Sequence, residues 1–145
     1  MKMLCIAALL TVSACSKTPF VTRVIQVDGR DLVVEIAYTN SARAQGVMGK
    51  TGLTDEQGVF FMYPDQRNIG FWMKTVTFPL DIAFVRSDGT IARIAQMQPY
   101  VTTSTPSLQP VQFALEMREG WFADRGVVVG EKITGIPTDL EPEPR

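Results

Sequence analysis

Two Asp-Gly dipeptides, Asp28-Gly29 and Asp88-Gly89, each stand between two apolar-rich runs. Asp-Gly suits the left-handed backbone of a tight hairpin turn, so each predicts a pair of antiparallel strands. The flanking runs are 20–27 and 32–37 for the first dipeptide, and 81–86 and 90–97 for the second. With Asp88 and Gly89 as a two-residue loop, Ile82, Phe84, Arg86, Ile91, Arg93 and Ala95 share one face of the second hairpin. Asp81, Ala83, Val85, Ala92, Ile94 and Gln96 then share the other. Both faces carry apolar residues, which places this hairpin inside a sandwich or barrel rather than on its skin.

The remaining segments fit the same class. Thr39, Asn40 or Ser41 can cap a short helix over about residues 41–48, and Gly46 is expected to let that helix lie close against a sheet. Residues 59–63 form a strand expected to stop at Pro64, and Phe71-Trp-Met-Lys74 an aromatic strand that ends at the Pro79 corner. Residues 98–110 are the longest irregular stretch, a length that in compact domains marks a functional or mobile loop. Val111–Met117 alternates as a half-buried strand, 119–125 reads as one or two helical turns closed at Gly126, and 127–129 and 132–133 as short β segments. Pro137 to Arg145 alternates proline with acidic residues and is expected to be a disordered tail. The whole predicts a mainly β, single-domain sandwich or barrel over 20–136 with one or two short helices, the usual outcome for 145 residues.

The first segment has a different character. Met1-Lys2 followed by an apolar run to Val12 has the form of a secretory signal and is too short to span a bilayer. Val12-Ser-Ala-Cys15 resembles a bacterial lipobox, so residues 1–14 are expected to be removed and Cys15 acylated. An ordinary signal peptide with an incidental cysteine is the alternative. Residues 15–19 then form a linker of roughly 15 Å, which keeps the domain close to the lipid. The expected address is periplasmic and membrane-anchored, with Ser16 favouring the outer membrane.

Composition removes several chemistries. The net charge is −1 with no basic stripe, so no nucleic-acid partner is expected. There is no histidine, the usual general base near neutral pH and the commonest transition-metal ligand, and the two cysteines, Cys5 and Cys15, both lie in the first segment with none beyond it. No metal or cofactor is expected. Ser104 and Ser107 lack the imidazole a Ser-His-Asp triad requires, and no phosphate loop, dinucleotide fingerprint or calcium loop is present.

Arg43-x-x-Gly46-Val-Met48, Gly58-Val-Phe-Phe61, Phe71-Trp-Met-Lys74, Pro79-Leu-Asp-Ile-Ala-Phe84, Asp88-Gly89 and Ala114-Leu-Glu116 together resemble the domain-of-unknown-function 192 family (DUF192). The likeness runs from about residue 20 to about residue 135. It implies a small, mostly β, often exported domain without a settled activity. Where the family usually reads Trp-Met-Lys-Asn-Thr, Thr75-Val76 follow Lys74 here, which removes an amide able to bond locally or to a ligand.

Candidate site residues gather around the Pro79 corner. Lys74 and Asp81 flank it, either as an anion holder and a proton acceptor or as a structural ion pair. Asp81 with Glu116 is the best carboxylate pair for acid/base hydrolysis, although Glu116 can equally end a strand against an arginine. Trp72 and Tyr100 are the aromatic residues preferred for a shallow pocket roofed by the 98–110 loop, against a background in which strand aromatics are more often core. Arg43 is placed to meet a sheet carboxylate or a bound anion. The expected function is a non-enzymatic ligand-binding or assembly module of the cell envelope. The alternatives are a hydrolase or lyase acting on an envelope glycan through Asp81 and Glu116, and a lipoprotein that braces a larger envelope complex through an exposed apolar patch.

Overall fold

The computed structural model describes residues 19–144, so the expected leader and Cys15, the expected acyl acceptor, lie outside the described residues. The strands are β1 (Val21–Val27), β2 (Arg30–Ala37), β3 (Gly58–Arg67), β4 (Gly70–Phe71), β5 (Leu80–Val85), β6 (Ile91–Met97), β7 (Thr105–Pro106), β8 (Val111–Arg118) and β9 (Ile133–Thr134). Two short helices, α1 (Asn40–Gln45) and α2 (Trp121–Asp124), complete the set. The fold is mainly β, as expected. Seven strands form one sheet in the order β6-β5-β8-β3-β2-β1-β9, and β4 pairs with β7 in a small second sheet. No helix among the described residues is long and apolar enough to cross a membrane.

The sheet curls into a half-barrel because its two edges meet at one end. Thr90 bridges Lys132, Ile91 N–H donates to the Glu131 carbonyl at 2.8 Å, and Ile133 N–H donates to the Gly89 carbonyl at 2.9 Å. A Cβ on Gly89 would lie 2.3 Å from the Ile133 carbonyl oxygen, so only glycine permits this approach. The concave face packs Ile25, Val34, Phe60, Leu115, Val85 and Ile91 against Trp121 and Phe122 of α2. The convex face packs Val59, Phe61, Ile82, Phe84 and Ala114 beneath α1 and the 69–76 segment. Each fully buried Phe or Ile stabilises the fold by about 1.5–3 kcal/mol relative to exposure, which is why both faces must be covered.

The parallel pairing of β2 with β3 requires a crossover, and α1 supplies it. Thr39 Oγ1 accepts from Ala42 N–H at 3.1 Å, capping the helix start. Asp28 and Gly29 both have positive φ, and Val27 pairs with Arg30, so the first hairpin has the two-residue turn that Asp-Gly predicts.

Several elements differ from expectation. At the second hairpin Phe84 pairs with Arg93 but Val85 pairs with Ile91, because a bulge follows the turn. Ile91 therefore joins Val85 in the concave core, while Ala92 packs toward the convex one. Pro64 does not end β3. The strand continues to Arg67, with its pairing to β8 shifted between Met62 and Arg67, an irregularity that accommodates a residue lacking N–H. The aromatic strand shrinks to Gly70–Phe71, since Val76 N–H turns back to the Met73 carbonyl and Met73 N–H bonds the Val101 carbonyl. Residues 127–129 form no strand.

Residues 137–144, expected to be disordered, lie against the domain. Leu140 packs on the concave core, Arg23 bonds Asp139 at 3.0 Å, and Glu143 N–H donates to the Tyr38 carbonyl at 2.9 Å. Asn40 N–H reaches Glu143 Oε2 at 2.7 Å, so the acidic tail adds a carboxylate to the N-terminal turn of α1. Composition pointed to disorder because it does not register such individual partners.

Candidate functional site

A groove of about 500 Å³ opens on the convex face between α1 with its following turn and the 70–76 segment. Its base is sheet. Phe61 and Tyr63 rise from β3 and Glu116 from β8, held in register because Val59 and Ile82 pair with Glu116 from either side. Phe71 meets Phe61 edge to face at 4.8 Å between ring centres, and forms one wall. Trp72 stands on the rim with 69% of its surface exposed.

Glu116 is the unusual member. It is only 4% exposed, yet neither carboxyl oxygen has a hydrogen-bond or ion-pair partner among the described residues, and Oε2 is fully buried. Burial pushes its carboxyl up to about 8, so the proton stays on at neutral pH. Gly46 packs close beside it. Its φ is +47°, and a Cβ there would lie 3.3 Å from Phe61 Cζ and 3.9 Å from Glu116 Oε2.

Arg43 lines the groove, but its guanidinium is committed to the fold. One nitrogen donates to the carbonyls of Tyr38 and Met62 at 2.6 and 2.8 Å, the other to Asn40 Oδ1 and the Glu143 carbonyl at 2.7 and 2.6 Å. These four acceptors are carbonyl oxygens, and none is a carboxylate of the sheet. Lys74 is exposed on the groove wall and forms no ion pair with Asp81.

Asp81 lies elsewhere. It pairs in register with Met117, so its side chain enters the concave side of the sheet, whereas Glu116 pairs with Ile82 and enters the convex side. The expected acid/base pair is therefore split by the sheet. Asp81 Oδ2 accepts the Gly120 N–H at 2.9 Å, Oδ1 has no partner, and burial raises its pKa above the ordinary carboxylate value. It holds the turn that leads into α2.

Tyr100 also stays out of the groove. Its backbone, at φ +62°, donates to the Met73 and Val76 carbonyls, and its ring is exposed. The 98–110 loop buttresses the 69–76 segment from behind instead of roofing the site. Ser107 is consumed in that support, accepting Ile69 N–H and donating to the Gln109 carbonyl. Of the residues expected in a site, the groove thus gathers Arg43, Trp72, Lys74 and Glu116. Gly46 was legible only as a packing glycine, and Tyr63 carried no sequence signal of its own.

A second depression of about 360 Å³ lies at the first hairpin beside Trp121 and Arg125. Trp121 donates to the Asp55 carbonyl at 2.8 Å, Arg125 stacks 4.4 Å from its ring centre, and Asp55 bonds both Arg118 and Arg125. These charges are mutually satisfied.

Among curated proteins none matches the chain. Solved structures are similar to it, among them the following two. One, described as a putative transcription regulator from Sinorhizobium meliloti 1021, is 35% identical with a TM-score of 0.70, covering 77% of this chain and 89% of that one. The other, a protein of unknown function from Novosphingobium aromaticivorans DSM 12444, is 34% identical with a TM-score of 0.67, covering 79% and 84%. The profile of DUF192, described as uncharacterized ACR, matches residues 23–135, and the chain belongs to that family.

Proposed function

We propose that the chain is a non-enzymatic ligand-binding module of the cell envelope, tethered through an acylated Cys15, with the groove above Glu116 as its binding site. The observation that carries this reading is the buried, partnerless Glu116 carboxyl on the groove base. A buried polar group without a partner costs about 1–3 kcal/mol, and a ligand that supplies the partner recovers that cost on binding. The surroundings suit a small ring: apolar walls, an exposed Trp72, and in Lys74 a cation with no partner among the described residues. Binding is favoured over hydrolysis because Asp81 does not share the face of Glu116. The leader supports the envelope address, and the short linker keeps the groove near the lipid.

The test is native mass spectrometry of the full chain after incubation with a soluble envelope extract. A small-molecule mass increment retained by the wild type and lost in Trp72→Ala and Lys74→Ala supports the reading. No increment, with no groove amide shifted by the extract, contradicts it. The raised pKa of Glu116 favours one competing reading, a lone general acid, and turnover of an extract component abolished by Glu116→Gln would establish that instead.

A further inference from the structure

We propose that the groove selects a ring-bearing anion that presents a hydrogen-bond acceptor to Glu116, and that Glu116 binds it as a neutral carboxylic acid donating its O–H. This rests on the binding reading above and specifies its ligand. Three observations on separate parts of the groove converge on it.

The first is the isolation of Glu116. It arises from β8 between β3 and β5, and its in-register neighbours on those strands, Val59 and Ile82, offer it nothing polar. The charged and titratable groups that line the groove with it are Arg43 from α1, Tyr63 from β3 and Lys74 from the 70–76 segment, and none bonds it. Burial raises its pKa to about 8, so the form awaiting a partner at neutral pH holds a proton to donate.

The second is the sign of the field. Of the ionised side chains lining the groove, Arg43 is committed to the fold, and Lys74 is a cation that bonds none of the described residues. A cationic ligand would be repelled by Lys74 and would find no carboxylate in Glu116. An anion meets Lys74 without disturbing it.

The third is shape. Phe71 on the wall and the exposed Trp72 on the rim border a volume of about 500 Å³, suited to a ligand of one or two rings. Glu116 keeps 4% of its surface exposed and lines the groove, and there the acceptor meets it.

A matched pair of probes tests the proposal. 4-Acetylbenzoate carries a ring, a carboxylate and a carbonyl acceptor; 4-isopropylbenzoate has nearly the same shape with a methyl in place of that oxygen. Both stay ionised across the range used. Binding to the full chain is followed at pH 6.5 and pH 9.5 through Trp72 fluorescence, with backbone amide shifts to locate the site. The expected result is about tenfold tighter binding of the acetyl probe at pH 6.5, a preference that disappears at pH 9.5. Glu116→Gln, which keeps a donor but cannot titrate, should retain the preference at both pH values, and Glu116→Leu should abolish it at both. Equal affinities at pH 6.5, or a preference that grows above pH 8, would overturn the proposal while leaving a binding groove in place. If neither probe perturbs Trp72 or the groove amides of a folded protein, the binding reading falls with it. Should Glu116→Leu fail to fold, the wild-type pH dependence and its absence in Glu116→Gln still decide the matter.

Discussion

Asp81 and Glu116 stand on neighbouring antiparallel strands one position out of register, Asp81 opposite Met117 and Glu116 opposite Ile82, so their carboxyl groups leave the sheet on opposite faces. Two acids that could have served one reaction are instead buried in separate environments. Asp81 ties a turn through the Gly120 N–H, and Glu116 ties nothing.

Glu116→Gln should change how stability depends on pH. The folded-state pKa of Glu116 is raised from 4.5 to about 8, so the folded protein holds a proton that the unfolded chain releases between those values. The Glu116 contribution to stability is therefore fully present below about pH 4.5, falls as pH rises toward 8, and levels off above it. The full decline is on the order of 3–5 kcal/mol. In Glu116→Gln this decline should be largely absent, making the variant the more stable of the two at pH 8.5. Urea denaturation at intervals from pH 4.5 to 9 measures it, and parallel curves for the two proteins would refute it.

Asp81→Asn should leave the groove untouched. An amide oxygen still accepts the Gly120 N–H, and the buried charge that becomes costly above the ordinary carboxylate pKa is removed. Its sign is the same as for Glu116: the wild-type contribution falls as pH rises through the elevated folded pKa. Stability at neutral pH should be unchanged or higher by about 1 kcal/mol. Affinity for 4-acetylbenzoate should stay within about twofold, the range expected of a site with no shared contacts. A large loss of binding would show the two faces to be coupled.

Removal of residues 137–145 should weaken α1 more than the sheet. The tail supplies the Glu143 carboxylate to Asn40 N–H, the Glu143 carbonyl to Arg43 and the Leu140 side chain to the concave core. Loss of these contacts should cost about 1–3 kcal/mol. Hydrogen exchange should accelerate in 40–46 first, before the strands. Unchanged exchange in α1 would mean that the tail contributes nothing there.

Gly46→Ala should both strain and narrow the site. The residue sits at φ +47°, and the added methyl meets Phe61 at 3.3 Å on the side leading to Glu116. A loss of about 1–2 kcal/mol in stability is expected, with weaker binding of both benzoate probes. Retained affinity in a destabilised protein would separate the backbone role from the access role.

The hairpins were legible from two dipeptides because turn geometry is local: Asp28-Gly29 and Asp88-Gly89 name the bends on their own. The bulge after Phe84 was not, since the loop closes from Arg86 to Thr90 and so holds one residue more than the two of the dipeptide. Trp72, chosen by residue type and strand alternation, and Lys74, chosen beside Pro79, both line the groove. Asp81 does not, because closeness to Pro79 in the chain does not fix the face of a sheet, and Tyr100 does not, because a place on the 98–110 loop does not say which side of the 69–76 segment that loop takes. Glu116 was chosen for a partner it does not meet, and its isolation emerges only when β3, β5 and β8 are laid side by side. The tail was misread because composition averages over residues, whereas Leu140 and Glu143 act one by one.

The most direct measurement is the carbon-13 titration of the Glu116 side-chain carboxyl in the full chain, with and without 4-acetylbenzoate. An apparent pKa near 8 that climbs when the probe binds is predicted, because the probe takes only the protonated form. A carboxyl that titrates near 4.5 and does not move on addition of the probe would contradict the account.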